Sequence, residues 1–313
     1  MQTRLRAGPE AQCTWVSGTT AQCVRHGGSV LAGARCGMIK ATNSLGADVA
    51  WSEHVVVRDG VRLACRDWGG PGQPIVLLHG LAGHAGEWDV LARRLSPGYR
   101  VVAVDQRGHG ASEHHPPDVS RAAYVADVIA VADQLALQRP FLVGQSLGGH
   151  TAMLTAAAHP ELVRALVLVE AGSGGPHPNG PLDIGSWLDS WPTPFPSREA
   201  AAAFLGGGPV GEGWAAGLEE RDGGWWPRFD RDVMVRSLAE NARRSFRREW
   251  TQVACPTLVV LAQSSFISAQ EADEMLRQRP ATTAMSIPGT GHDLHLEQPG
   301  ILYTALLGFL EGL

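Results

Sequence analysis

A serine hydroxyl becomes a useful nucleophile only where the backbone presents it and a neighbouring base takes its proton. The segment Gly144-Gln145-Ser146-Leu147-Gly148-Gly149 is such a place. It fits G-x-S-x-G, the pattern of a serine held on a strained turn between a strand and a helix. The glycines on either side leave room for the tight backbone. The N–H of Leu147, the residue after the serine, can aim at a developing oxyanion. An apolar run, Phe141-Leu142-Val143, precedes the motif, and a small-residue stretch with helical character follows it. Ser146 is therefore the candidate nucleophile of a hydrolase.

The elements that must position this serine alternate along the chain. Residues 55–57 and 61–68 read as an antiparallel hairpin around Asp59-Gly60. Residues 74–78 form a fully apolar run suited to a strand buried on both faces. A short helix over 87–95, a strand over 99–104 and a helix with apolar spacing through Val125, Val128, Ile129, Ala132 and Leu135 come next. After the serine turn, 152–158 continues as helix and 165–169 is another buried strand. Strand 256–261, helix 271–279, a strand ending near Ile287 and helix 301–310 close the chain. This rhythm predicts an α/β fold, a mostly parallel sheet with helices on both faces. It breaks between 172 and 250, a Gly- and Pro-rich region with six of the ten tryptophans, Trp187, Trp191, Trp214, Trp225, Trp226 and Trp250. That region reads as a cap inserted over the sheet edge where open α/β sheets hold ligands. The core then comprises residues 51–171 and 251–313.

Bulk properties narrow the classes. With 313 residues, 44% apolar content and a net charge of -5, the chain can bury a sizeable core and lacks the basic balance of a broad nucleic-acid binder. Its five cysteines, Cys13, Cys23, Cys36, Cys65 and Cys255, show no C-x-x-C spacing, so a reduced, cytoplasmic protein is expected. No apolar run is long enough to span a membrane, and no h-region follows Arg4 and Arg6. Residues 1–50 are expected to be an irregular or disordered extension, with Met38 a candidate start. Metal-ligand clusters, phosphate loops and dinucleotide fingerprints are missing from the sequence pattern, so no cofactor and no metal are expected.

With these residues in place, the sequence resembles the α/β-hydrolase superfamily over roughly 51–313. The resemblance rests on four landmarks in order, each after an expected strand: His79-Gly80, Asp105-Gln106-Arg107-Gly108-His109-Gly110, Gly144 to Gly149, and Gly291-His292. It implies an α/β-hydrolase fold with His292 as the base. His295 is the nearest rival, and His84, His114 and His115 are expected in loops. It also implies an oxyanion hole from the N–H groups of Leu81 and Leu147. His79 and Asp105 are expected to shape their loops. The Arg243, Arg244, Arg247 and Arg248 cluster is expected on a solvated helix face.

The acid departs from the family's usual pattern. Where an aspartate commonly follows the seventh strand, the run Pro256 to Phe266 carries Ala262 and Ser265, and the first carboxylate beyond is Glu271, expected on the next helix. Glu170 instead ends the sixth strand, 24 residues after Ser146. Zearalenone-type lactonases and one group of haloalkane dehalogenases place their acid there. The resemblance then implies a Ser146–His292–Glu170 triad. Asp293 is expected to point wrongly for that role.

The expected activity is hydrolysis of a carboxylic ester or lactone through an acyl-enzyme. Five cap tryptophans (Trp187, Trp191, Trp214, Trp225 and Trp226) are the candidate substrate-binding surface for an apolar or aromatic small molecule. Aspartate-nucleophile chemistries, haloalkane and epoxide hydrolysis, do not fit Ser146. Carbon–carbon bond hydrolysis, a perhydrolase activity or a non-catalytic binding protein of the same fold are the alternatives.

Overall fold

The computed structural model describes residues 12–16, 20–24 and 51–313. It comprises two units, residues 1–49 and 50–313. In the first, β1 (Gln12–Val16) and β2 (Thr20–Val24) pair antiparallel. The expectation of an irregular extension is corrected for these strands, whose Trp15, Val16, Thr20 and Val24 are types that favour a ladder. The rest of 1–50, Met38 included, lies outside the described residues.

The second unit begins with β3 (Ser52–Arg58) and β4 (Val61–Asp67), an antiparallel hairpin. Asp59 and Gly60 join them with φ of 49° and 79°, the two left-handed residues a tight hairpin turn demands. The chain continues through β5 (Pro74–Leu78), β6 (Arg100–Val104), β7 (Phe141–Gln145) and β8 (Ala165–Val169). Two short strands, β9 (Glu219–Arg221) and β10 (Gly224–Trp226), form a separate hairpin. Then follow β11 (Thr257–Ala262) and β12 (Thr283–Ile287). The main sheet has eight strands in the order β12-β11-β8-β7-β5-β6-β4-β3, parallel from β12 to β6 and antiparallel beyond.

The helices are α1 (Asp89–Leu95), α2 (Arg121–Gln134), α3 (Leu147–Ala158), α4 (Gly180–Asp189), α5 (Arg198–Phe204), α6 (Gly208–Ala215), α7 (Arg231–Ser237), α8 (Ala239–Arg243), α9 (Arg247–Gln252), α10 (Ala269–Gln278), α11 (Leu294–Glu297) and α12 (Pro299–Leu310). Alternation along each strand divides the core into two layers. Val76, Leu78, Leu142, Leu166 and Leu168 meet α2, α3, α9 and α10 on one face. Ile75, Leu77, Val143, Val167 and Val169 meet α1 and α12 on the other. Each such side chain contributes about 1.5–3 kcal/mol by burial, which is why the central strands are apolar without interruption.

The insertion between β8 and β11 has an apolar centre of its own, including Leu188, Trp191, Phe195, Val233 and Met234. Its expected boundary at 250 moves. Phe246 and Trp250 are fully buried in the main core beside α3 and α10, not in the insertion. The Trp250 indole donates to the Met275 carbonyl at 3.0 Å, which ties α9 to α10.

Candidate active site

Strand order places the chemistry. β7 lies between β5 and β8, so the loop after β5 and the residue after β8 flank the residue after β7. That residue is Ser146, at φ 49° and ψ -115°. Such a left-handed conformation is unfavourable for a residue with a Cβ and costs on the order of 1–3 kcal/mol. Two contacts hold it. The Ser146 N–H donates to the Val169 carbonyl at 3.0 Å, and Gly144 lies so close to Gly148 that a Cβ there would overlap the Gly148 carbonyl. The turn thus ends β7 and starts α3, with Leu147 as the first helical residue. Its N–H has no carbonyl within the helix to bond and stays available to a ligand.

Glu170 mirrors this arrangement at the end of β8, with φ 48° and its N–H on the Val260 carbonyl at 2.9 Å. Its side chain is wholly buried. Oε1 accepts the Ala262 N–H at 2.6 Å, and Oε2 faces His292 Nδ1 at 3.5 Å. Burial pushes Glu170 up, but hydrogen bonds from His292, the Ala262 N–H and Ser265 outweigh it and hold the carboxyl below its ordinary value. Ser265, where the common aspartate is missing, thus supports the carboxylate from the loop after β11.

His292 is half-buried on the loop after β12, with the Phe266 ring edge-on against it at 4.6 Å. Gln145 fixes its chemistry. The Gln145 amide nitrogen lies 3.1 Å from the His292 carbonyl and 3.2 Å from His292 Nε2. A carbonyl only accepts, so the group facing it is the NH₂. The same NH₂ then faces Nε2, which must offer its lone pair. The ring proton therefore sits on Nδ1, toward Glu170, and Nε2 carries the lone pair a general base needs, which here accepts the Gln145 N–H. The Gln145 oxygen is packed on Gly80, where a Cβ would overlap it.

The loop after β5 is rigidly built. His79 Nδ1–H donates to the Gly80 carbonyl at 2.7 Å, while its Nε2 accepts the Gln106 N–H at 3.0 Å. Burial pushes His79 down to about 3, so the ring stays neutral. Asp105 accepts the Ala85 N–H at 2.6 Å and the Ala111 N–H at 2.8 Å, holding the turns around it. His79 and Asp105 thus shape loops, as expected. Leu81 and Leu147 both line the cavity beside Ser146.

That cavity holds about 710 Å³, within the usual span for small-molecule sites. Ser146, His292, Trp187 and Trp214 line it. Three of the five candidate tryptophans do not. Trp191 packs inside the insertion against Trp187, Phe195 and Phe229. Trp225 and Trp226 lie on the β9–β10 hairpin, covered by Arg198 and Arg221. An apolar ring serves a folded insertion as well as a ligand, and composition does not separate the two uses. The rival base His295 is buried against Trp88 and pairs with Glu87 Oε2 at 3.2 Å. Asp293 Oδ2 accepts the Trp214 indole N–H at 3.2 Å. Of the arginine cluster, Arg244 pairs with Glu249 and Arg247 with Glu274 at the surface.

Sequence reasoning passed over Gln145, Ser265, Glu87 and His150. Gln145 stood inside the motif and Ser265 at the vacant acid position, and those positions were the available signals. Glu87 lines the cavity, and burial pushes its carboxyl up to about 8.

A model of the alpha/beta hydrolase family matches residues 75–305. The chain is similar to a putative esterase/lipase of Haemophilus influenzae, 29% identical over 76% of this chain and 83% of the relative. It is also similar to an sn-1-specific diacylglycerol lipase of Mus musculus, 29% identical over 75% of this chain and 80% of that one. Among solved structures, an E-2-(acetamidomethylene)succinate hydrolase superposes with a TM-score of 0.77 at 25% identity, covering 83% of this chain and 99% of its own. No helix among the described residues is long and apolar enough to cross a membrane.

Proposed function

The chain belongs to the alpha/beta hydrolase family, and on that premise we propose that it is a serine hydrolase of carboxylic esters or lactones with Ser146, His292 and Glu170 as its triad. One observation carries the reading: His292 stands with Nδ1 toward the buried Glu170 carboxylate and Nε2 as acceptor, beside the strained Ser146 turn on an apolar cavity. The 3.5 Å separation of Nδ1 and Oε2 is long, as is common before a substrate draws catalytic hydrogen bonds together.

In this mechanism Ser146 Oγ attacks the ester carbonyl carbon while His292 Nε2 takes its proton. Glu170 stabilises the imidazolium and keeps its ring oriented. The N–H groups of Leu81 and Leu147 receive the negative oxygen, each contributing roughly 3 kcal/mol to the barrier reduction. The tetrahedral intermediate collapses, and the alcohol leaves with the proton from His292. Water then attacks the acyl-enzyme with His292 as base again, releasing the acid and restoring Ser146. A lactone opens by the same two steps, its alcohol and acid emerging as one molecule. The insertion supplies Trp187 and Trp214 to the apolar wall, which favours an apolar or aromatic substrate.

A fluorophosphonate probe tests the reading. It should label the wild-type protein and not Ser146→Ala, and p-nitrophenyl esters should be hydrolysed only by the wild type. A properly folded wild type that neither reacts with the probe nor turns over esters or aromatic lactones would make the protein a binding member of the fold.

A further inference from the structure

Two side chains with no part in the triad line one end of the cavity. His150 lies on α3, one turn beyond Ser146, with its N–H on the Ser146 carbonyl at 2.9 Å. The residue is 5% exposed, and neither ring nitrogen has a hydrogen-bond partner among the described residues. Asn241, on α8, lines the same cavity, and its Oδ1 is likewise buried and unpartnered.

Behind them is a third group. Arg121, at the start of α2, is 2% exposed, with Nε and Nη2 unpartnered among the described residues. It touches the neighbours of both lining residues. Nη1 donates to Thr151 Oγ1 at 3.3 Å, and its backbone N–H donates to Glu240 Oε1 at 2.8 Å. Its guanidinium stacks on the Tyr124 ring at 3.9 Å, which orients it without satisfying its N–H groups. Five buried polar atoms in one region lack partners among the described residues, whereas native interiors satisfy nearly all such groups. Each costs about 1–3 kcal/mol if left so.

We propose that this end of the cavity is a polar subsite for an oxygen acceptor of the substrate, a ketone or amide carbonyl or a carboxylate, remote from the scissile carbonyl. The proposal rests on the serine-hydrolase reading for which bond is broken, but not for the binding itself. His150 is the specificity-determining residue and donates its N–H to that oxygen. Asn241 supplies its amide N–H from α8, while its buried Oδ1, an acceptor, is not satisfied by such a ligand. Arg121 makes the local potential positive, which favours an acceptor over an amine. Burial, with the nearby Arg121 and Arg244 charges, pushes His150 well below its ordinary value, so the ring offers one N–H and one lone pair. Gly174 covers the ring edge, where a Cβ would stand 2.9 Å from Nε2. Any side chain at this position would close over that nitrogen, and glycine does not.

The test uses Ser146→Ala protein, which binds without turnover, with the fluorescence of Trp187 and Trp214 as reporter. The ligands are phenyl hexanoate, phenyl 5-oxohexanoate and monophenyl adipate, with isomers bearing the oxygen in the alcohol part. At least one oxygen-bearing ligand should bind about tenfold more tightly than the hexanoate, equivalent to roughly 1.4 kcal/mol. The ketone and carboxylate arms show which acceptor is taken. Adding His150→Leu should erase the preference while moving the hexanoate Kd less than twofold, and His150→Asn should keep part of it. Equal affinity for all ligands, or an equal loss for all in His150→Leu, would overturn the subsite. If His150→Leu does not fold, Asn241→Leu answers the same question. Fluorophosphonate labelling of the wild type stands apart, so loss of the hydrolase reading and loss of this subsite are separate results.

Discussion

At the scale of single residues, His292 has its two ring nitrogens assigned opposite duties by neighbours that do not themselves react. The Gln145 amide turns Nε2 into an acceptor, and Glu170 takes the proton side. Glu170→Gln offers Nδ1 a mixed donor and acceptor in place of a carboxylate. It is expected to lower kcat by on the order of 10³–10⁴ with little change in KM, by analogy with triad-acid loss elsewhere. Stopped-time ester assays measure it, and near-wild-type turnover would reject the assignment. Gln145→Met keeps the length and removes the N–H donors. Without them the ring is free to adopt the tautomer with its proton on Nε2, so kcat should fall about tenfold while KM stays within about twofold. A parallel rise in KM would point to a collapsed cavity instead.

At the scale of elements, the strands and the place of the insertion were legible, but the roles of the insertion's side chains were not. Runs such as Pro74 to Leu78 and Ala165 to Val169 are buried on both faces, so their unbroken apolar character announces them. The same logic exposed the Ser146 turn after a strand, whereas His292 and Glu170 were singled out by the family resemblance. The insertion folds around tryptophans that serve its own interior, and nothing in residue type separates Trp214, on the cavity, from Trp191, in the packing. Nor did composition reveal that Trp250 belongs to the main core, because that follows from α9 packing beside α3. Gln145 was unreadable as a partner of His292, since 147 residues of chain separate them. The turn between β7 and α3 yields its own prediction. Its serine holds φ 49° at a cost, which glycine would not incur. Ser146→Gly should therefore abolish turnover while making the protein about 1 kcal/mol more stable than Ser146→Ala. Urea midpoints for the two variants decide it, and an equal or lower midpoint for glycine would show that the turn is unstrained.

At the scale of the whole molecule, buried histidines make stability depend on pH. Burial pushes His79 and His109 down to about 3 and His150 well below its ordinary 6.5. In the unfolded chain these rings take up protons near 6.5, so the unfolded state binds more protons than the folded one below that value. Their contribution is present above about 6.5 and is lost as pH falls toward their folded values, at about 1.4 kcal/mol per pH unit for each group. Glu87 acts in the opposite sense. Raised from 4.5 to about 8, it contributes fully below 4.5 and loses that contribution as pH rises through 8. Net, the unfolding free energy should be lower at pH 5.5 than at pH 7, and Glu87→Gln should flatten the decline between pH 7 and 8. Urea titrations across that range check both signs, and a level profile from 5.5 to 7 would contradict the buried neutral rings. One contact links the insertion to the chemistry. Trp214 donates its indole N–H to Asp293, the residue next to His292. In the proposed mechanism this hydrogen bond joins the substrate wall to the loop of the base, so selectivity and turnover would not be independent traits. Grafting a foreign insertion to change what enters would also remove one of the contacts that hold the His292 segment, so a productive exchange should bring a replacement donor for Asp293.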